Sequence, residues 1–428
     1  MRLNARLRSV LGLLFLCGLA AASVLVSAQT PAAGQVVAVR AGRLFDPKSG
    51  TNLANQVVLI RGDKITDVGP AASVKIPSGA RVIDLSGATV LPGLIDGHVH
   101  LTDTVGTKEQ AARSATESLK AGYTTLVAQG SHGGKYTDVE LRDDIAAGRT
   151  QGPRIITAGP VLGSAELPAK GADAFRAGMR ELHQHGAEHA KIMTTGAHAW
   201  TPNGVMSNEA IATLDELKAA VDEGHKLGMF VATHSYGNDG LKWAIEAGVE
   251  DIQHALNADD ADIKLLLQKN LPVTSTILDL RQDEPGDLKK FGTYSMWRTQ
   301  KVTWKKMMDA GVRLGFGSGA TPVTNGKGRI FNEACQCSHG VQGEMFPIFV
   351  SWGATPVYTL RMATTVNAGI IKKQDSLGSV EKGKFADLIA VAGDPLKDIT
   401  EMQKVKFVMK GGAVVKNDLA PRGTTSSR

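Results

Sequence analysis

Cysteine is almost missing from this chain, with three in 428 residues, so no disulfide framework holds the fold together. Cys17 falls in an N-terminal apolar run, which leaves Cys335 and Cys337. A C-x-C pair closes too tight a ring for an ordinary disulfide, and one pair does not make a zinc site. Two loop thiols are the simplest reading. Aromatic residues are also scarce at 5%. No Lys/Arg cluster is interleaved with them, so the electrostatic footprint of a nucleic-acid binder is lacking. Proline is infrequent, at 16, and the 48 glycines are scattered in turn contexts without a repeat, which excludes collagen-like and low-complexity chains. Hydrophobic residues at 43% and charged residues at 21% exclude wholesale disorder and a multi-span membrane protein. What remains is a folded chain, long enough for one large barrel-type domain and a smaller one.

The first segment reads as an export signal. Arg2, Arg6 and Arg8 form a basic region, Val10 to Leu25 is nearly unbroken apolar sequence, and Val26-Ser27-Ala28 is a small-residue cleavage site. A retained N-terminal anchor is the alternative, disfavoured because the apolar run is short for a span. Leu16 before Cys17 is not the small residue that a lipoprotein signal requires. Cleavage after Ala28 removes three Arg and no acid, lowering the formal charge from +6 to +3. The mature protein is therefore expected to be exported, periplasmic or secreted, and free of the membrane.

From Val36 to Ala88 short strands alternate with turns: Val36 to Ala41, Gln56 to Arg61, Lys64 to Val68 and Arg81 to Asp84. Asp387 to Val391, Val405 to Met409 and Ala413 to Lys416 have the same character, and the two ends are expected to pair into one small β domain. Between them the pattern changes to helix, glycine, strand. Helices over Thr107 to Ala121, Phe175 to His185, Asn208 to Leu227, Gly240 to Ala247, Ala261 to Lys269 and Lys301 to Ala310 each precede an apolar strand. Several end in Gly, as at Gly122, Gly228, Gly248 and Gly311, which is C-cap chemistry. Such units imply a parallel sheet, and their spacing favours an α/β fold closed as a (β/α)8 TIM barrel, with a small β-sandwich domain built from both chain ends. The expected boundaries are a signal peptide over 1–28, β domain over 29–91, barrel over 92–375 and β domain again over 376–428.

The strongest chemical signal is Leu91-Pro92-Gly93-Leu94-Ile95-Asp96-Gly97-His98-Val99-His100. Two His at i, i+2 on a strand project from one face, so both imidazoles reach one cation, and imidazole suits zinc or a similar metal. Alone, H-x-H is weak. Its place after the strand that opens the barrel strengthens it, because barrel active sites form at the C-terminal ends of strands. Lys191 lies within the strand Ala190 to Met193, while His234 and His254 end two others. A satisfied buried polar residue is the ordinary explanation of each singly, but all five at strand ends point to one mouth.

At these residues the chain resembles the metal-dependent amidohydrolase superfamily, specifically its imidazolonepropionase-like and prolidase-like members, including types that act on Xaa-Pro dipeptides, N-acyl amino acids or ochratoxin. The resemblance covers nearly all of the mature chain, through Val39 to Leu44, the PGLIDGHVH stretch, Gly186 to Met193, Ile245 to Val249 and Gly378 to Leu388. It implies two divalent metal ions, with zinc the first choice. His98 and His100 would hold one, His234 and His254 the other, and Lys191, carboxylated on its amine, would bridge both, giving Lys191 and His254 catalytic roles. Tyr236, two residues after His234, would contact a substrate carboxylate, and His339, in Ser338-His339-Gly340, would line the pocket.

One departure bears on activity. Where such enzymes carry Gly-Thr/Ser-Asp after the last barrel strand, this chain has Phe316-Gly317-Ser318-Gly319-Ala320, so the position of the metal-binding, proton-moving Asp is Gly319. An inactivated or engineered variant, a natural pseudoenzyme, and a neighbour such as Ser318 or an acid of the next loop taking over are the three explanations. A second departure is Val127-Ala128, where relatives have Arg-Asp. His183, His185 and His189 read as solvated side chains around a helix end, and His132, His198 and His225 have no assignment. Thr321 to Gln336, with Asn325-Gly326-Lys327-Gly328, reads as a loop at the barrel mouth of the kind that sets substrate choice, or as a plain surface insertion.

The expected function is hydrolysis of a C–N amide bond in an N-acyl amino acid, a dipeptide or a related amide, ochratoxin-like amides included, by a metal-activated hydroxide. The rivals are a catalytically impaired barrel that only binds, because of Gly319, and a lactonase or cyclic-amide hydrolase. The expected partner is the small-molecule amide, with neither nucleic acid nor membrane. A homo-oligomer is left open.

Overall fold

A computed structural model describes residues 34–102, 107–131, 133–196, 199–200, 206–207, 209–277, 296–322 and 337–419. The export signal, His132, His198, Cys335 and most of the 321–336 loop lie outside the described residues.

The chain opens with β1 (Val36–Asp46), β2 (Thr51–Arg61), β3 (Lys64–Pro70) and β4 (Arg81–Pro92). These strands run further than the apolar pattern suggested, β4 by eight residues, because it continues along β1 at Leu85, Thr89 and Val90 and its last four residues, Thr89 to Pro92, pair with the far end of the chain. That end supplies β15 (Leu388–Val391), β16 (Phe407–Lys410) and β17 (Ala413–Asn417). All seven form one sheet in the order β17-β16-β15-β4-β1-β2-β3, with Ile389 opposite Leu91 in the antiparallel pair that joins the two ends. Val39, Val58, Ile83, Leu388 and Phe407 are buried together in its own apolar core.

Between the ends, strands and helices alternate: β5 (Leu94–Val99), α1 (Lys108–Lys120), β6 (Tyr123–Ala128), α2 (Thr137–Ala146), β7 (Arg154–Ile156), α3 (Ala172–Gln184) and β8 (His189–Met193). After a short hairpin of β9 (Ala199–Trp200) and β10 (Met206–Ser207) come α4 (Leu214–Lys226), β11 (Phe230–Ser235), α5 (Asn238–Ala247), β12 (Asp251–His254), α6 (Asp260–Gln268), β13 (Val273–Thr276), α7 (Met296–Ala310) and β14 (Leu314–Gly317). Three short helices close the series: α8 (Met345–Ser351), α9 (Pro356–Arg361) and α10 (Asn367–Ile370).

The strands are parallel, in one sheet ordered β5-β6-β7 and another ordered β14-β13-β12-β11-β8. Backbone hydrogen bonds span both gaps between these sheets. Leu162 N donates to Lys191 O at 2.9 Å on one side, and Gly319 N donates to His98 O at 2.8 Å on the other.

Local chemistry sets the element ends. Thr107 caps α1 through the Gln110 amide. α4 starts at Leu214, six residues later than the sequence pattern suggests, because Thr213 and Glu216 form a reciprocal capping box. The preceding residues instead run alongside β8, with Ile211 N on Thr194 O. Gly248 ends α5 at φ +83°, a left-handed conformation that favours glycine. Helix α2 and strand β7 escape the sequence pattern. The buried residues of α2, Thr137, Asp138, Val139 and Leu141, cluster in its first turn without a 3.6 period, and β7 is three residues long.

Alternation along the strands sorts their side chains. Leu126, Ile155, Val231 and Ile252 pack in the large cluster with helix residues Leu119, Met179, Leu217 and Ile245. Their neighbours Val127, Ile156, Phe230 and Ala232 join Ile95 in a separate cluster. Strand residues on the first face meet the helices, and those on the second face meet one another. By the period of two, Lys191 and His234 share the second face with Phe230 and Ala232.

Candidate active site

The strand ends bring the four sequence-selected histidines together. His100, His98, His254 and His234 form a chain of imidazoles with successive ring centroids 5.1, 4.8 and 4.6 Å apart. Tyr236 continues it, 4.3 Å from His234 and 5.4 Å from His254. Two backbone irregularities make this convergence. The pairing of β5 with β6 slips between Asp96 and Val99, which lets His98 face the same interior as Ile95, three residues earlier. His254 follows Gln253 and by strict alternation would point toward the helices, but its φ of +78° turns the chain. A non-glycine residue in that region costs on the order of 1–3 kcal/mol and persists where surrounding contacts over-determine it. Here Nδ1 is held by Thr276 Oγ1 at 2.5 Å.

The hydrogen bonds fix the ring states. His98 Nδ1 lies 2.6 Å from Gln253 Oε1, and His100 Nδ1 lies 3.4 Å from Gly130 O. Both oxygens only accept, so each Nδ1 carries the proton and each Nε2 carries a lone pair. The two Nε2 atoms face each other 3.2 Å apart. Burial, then the Lys191 charge, holds His98 well below the usual imidazole range; burial, then His234, does the same for His254. Neutral imidazoles with converging lone pairs are metal-ligand chemistry, and 3.2 Å suits two nitrogens each about 2.0–2.1 Å from one ion. Among the described residues no group of three or more His, Cys, Asp or Glu is placed to hold a metal. The imidazoles stand in a row, each ring beside the next, and a complete metal site there needs a ligand of another kind.

Lys191 is 2% exposed, and burial pulls its amine down to about 7, against the attraction of Asp251. The same burial pushes the Asp251 carboxyl up to about 7. Asp251 and Gln253 are the functional neighbours that sequence reasoning missed. Gln253 Nε2 donates to Asp251 Oδ2, Thr274 Oγ1 donates to Asp251 Oδ1 at 2.8 Å, and Gln253 passes this anchorage to His98. Their signal was the alternation in Asp251-Ile252-Gln253-His254, which sends both inward.

At the Gly319 position the backbone has φ +63°, with its amide on His98 O. Ser318 is fully buried, and its hydroxyl accepts from Ala320 N at 3.0 Å. The carboxyl beneath this turn is Asp96, whose Oδ1 accepts from Ser318 N and His98 N. Burial pushes it up to about 7.

His339 is buried, with Nε2 2.9 Å from His100 O and Nδ1 2.8 Å from Ser118 Oγ. The carbonyl can only accept, so Nε2 carries the proton and the ring fastens the end of β5 to α1. The solvated reading holds for exposed His183 and His185 and fails for His189. His189 opens β8, is fully buried and stacks on Phe230 at 4.6 Å, because β8 begins immediately after the Gly186 turn. His225 is a surface residue 2.8 Å from Glu250.

Residues 89–415 match the family model described as the Amidohydrolase family. Ochratoxinase of Aspergillus niger is 25% identical, over 92% of this chain and 89% of its own. Among solved structures, a Xaa-Pro dipeptidase with methionine bound in its active site is 27% identical with a TM-score of 0.75, covering 90% of this chain and all of that one. Phenylurea hydrolase B shares the fold at a TM-score of 0.78 and 22% identity, over 89% of this chain and 97% of its own.

Proposed function

Because the chain belongs to the amidohydrolase family, we propose that it is an exported, metal-dependent hydrolase of amide C–N bonds, with His98, His100, His234, His254 and Lys191 as its metal-binding centre. The paired, neutral imidazoles carry this reading, above all the opposed Nε2 atoms of His98 and His100. The fold reading is a (β/α)8 barrel over 92–375, supported by the backbone bonds across both sheet gaps, with a β-sandwich domain from the chain ends. The ochratoxinase and dipeptidase relatives direct the substrate toward N-acyl amino acids, dipeptides and ochratoxin-like amides.

His98 and His100 would hold one divalent ion, His234 and His254 a second. Lys191 supplies the anionic ligand that the histidines lack. An amine drawn down to about 7 is substantially uncharged at neutral pH. The uncharged amine adds to carbon dioxide, releasing one proton and leaving a carbamate with two oxygens for two ions. Bound zinc would polarise the amide carbonyl and supply a water-derived nucleophile at neutral pH. Gln253 keeps His98 in the tautomer that presents Nε2, and Tyr236 extends the histidine row toward the substrate.

Elemental analysis of the purified protein after dialysis should return about two divalent metals per chain, together with hydrolysis of a panel of N-acyl amino acids and Xaa-Pro dipeptides. One metal or none would overturn the binuclear reading, and no turnover with two would favour the rival: a barrel that binds amides without cleaving them, which the bare Gly319 supports. The Gln253→Leu substitution should weaken metal affinity about 10- to 100-fold, the usual cost of removing a ligand's orienting partner, as measured by competition with a chelating dye. Unchanged affinity would mean that other contacts orient His98.

A further inference from the structure

At the opposite end of the parallel strands from the histidines lies a cleft of about 380 Å³. One wall is the end of α2 with Pro153 to Ile156 of the β7 region, a second is the chain after α10, and the third comes from the terminal sheet through Phe385 and Lys410. The lining is apolar at Ile145, Ile156, Leu377 and Phe385, yet Arg142, Arg154, Lys373 and Lys410 all reach it, against the single acid Glu188.

The acids present do not balance these cations. Arg154 pairs with Asp387 at 2.8 Å and lies over the Phe385 ring at 4.1 Å, which holds it in place. Arg142 is answered by Asp143 at 2.9 Å and Glu188 at 3.8 Å. Asp387 is further occupied by the Gly411 amide. Among the described residues neither Lys373 nor Lys410 has an ion-pair partner within 4 Å. Lys410 is half-buried, and burial with the Arg154 charge holds its ammonium below the usual lysine range, against the pull of Asp387. Desolvated positive charge beside an apolar wall is the environment an anion with a hydrophobic body would relieve.

We propose that this cleft is a second ligand site, taking small amphipathic carboxylates whose apolar body packs on Ile156, Leu377 and Phe385 and whose carboxylate meets Lys410 and Lys373. A multiply charged inorganic anion suits it less well, since most of the wall offers no hydrogen bond. The acids released by amide hydrolysis belong to the favoured class, but the site stands whether or not the chain hydrolyses amides.

The test is calorimetric titration of the full chain with 3-phenylpropionate, its neutral analogue 3-phenylpropanamide, and inorganic phosphate. The expected result is saturable phenylpropionate binding that persists in Lys191→Met, which removes the amine of the histidine site without opening room there for a carboxylate. It should weaken at least about tenfold with the neutral amide and with Lys410→Met, the scale of one charged hydrogen bond. Lys373→Met, on the exposed rim, carries the same expectation should Lys410→Met fail to fold. Equal binding of the neutral amide, unchanged binding in folded Lys410→Met or Lys373→Met, loss in Lys191→Met, or phosphate competing as well as phenylpropionate would each overturn the proposal.

Discussion

Lys191→Ala will lose at least about 10³-fold in hydrolytic rate and will no longer retain two metals after dialysis, because in the proposed centre this one side chain would serve both ions. The ammonium cannot ligate a cation. Burial, working against the pull of Asp251, makes the neutral form accessible at about pH 7, so carbon dioxide has an amine to add to. Below that pH the amine takes up a proton, and metal retention and activity should decline together. The truncated side chain leaves room in a site lined by the same neutral histidines. A short carboxylic acid such as propionate should therefore restore part of the activity by supplying two oxygens where the carbamate stood. Two retained metals without added acid would refute the bridging role, and full activity would place the chemistry elsewhere.

Much of this candidate site was legible because histidine and lysine are chemically rare in an apolar strand. A histidine or lysine ending an apolar run stands out, and His98, His100, Lys191, His234 and His254 were all found this way. The supporting residues were harder to see. Gln253 and Asp251 look like ordinary polar residues in a short strand until His98 Nδ1 is found on Gln253 Oε1. The turn that aims His254 inward is a backbone event at φ +78°, and neither His nor Ala255 announces a left-handed conformation as glycine does. His189 was misplaced because three nearby histidines share a helix-end context, and only the start of β8 separates the buried one from its exposed neighbours. In the fold, glycine-capped helices marked most of the alternating units. The weakly patterned α2 and the three-residue β7 left no periodicity to read. The end of β4, Thr89 to Pro92, was hidden because it pairs with β15, nearly 300 residues away in sequence, a contact that no local window contains.

Gly319→Asp will raise the turnover of a suitable N-acyl amino acid at least about tenfold, a floor set below the 10²- to 10⁴-fold that a well-positioned general acid or base contributes. The backbone is ready for it. At φ +63° most side chains are strained, but aspartate tolerates the left-handed region better than most. The turn is already pinned by the Gly319 amide on His98 O and the Ser318 amide on Asp96. Neither neighbour substitutes well for the missing carboxylate. The Ser318 hydroxyl is buried and engaged with the Ala320 amide. Asp96 uses Oδ1 for two backbone amides beneath the turn, so moving it toward a substrate would free two buried donors, each costing roughly 1–3 kcal/mol. A carboxylate at 319 would instead come from a residue whose own amide already bonds His98 O, and would not draw Asp96 from its two donors. Measuring kcat separately from KM decides the matter. A rise in kcat with little change in KM means that proton movement was lacking, a fall in KM alone means that the new carboxylate only binds, and unchanged turnover with two metals retained would mean that this chain moves its proton by a group other than the one residue 319 has lost.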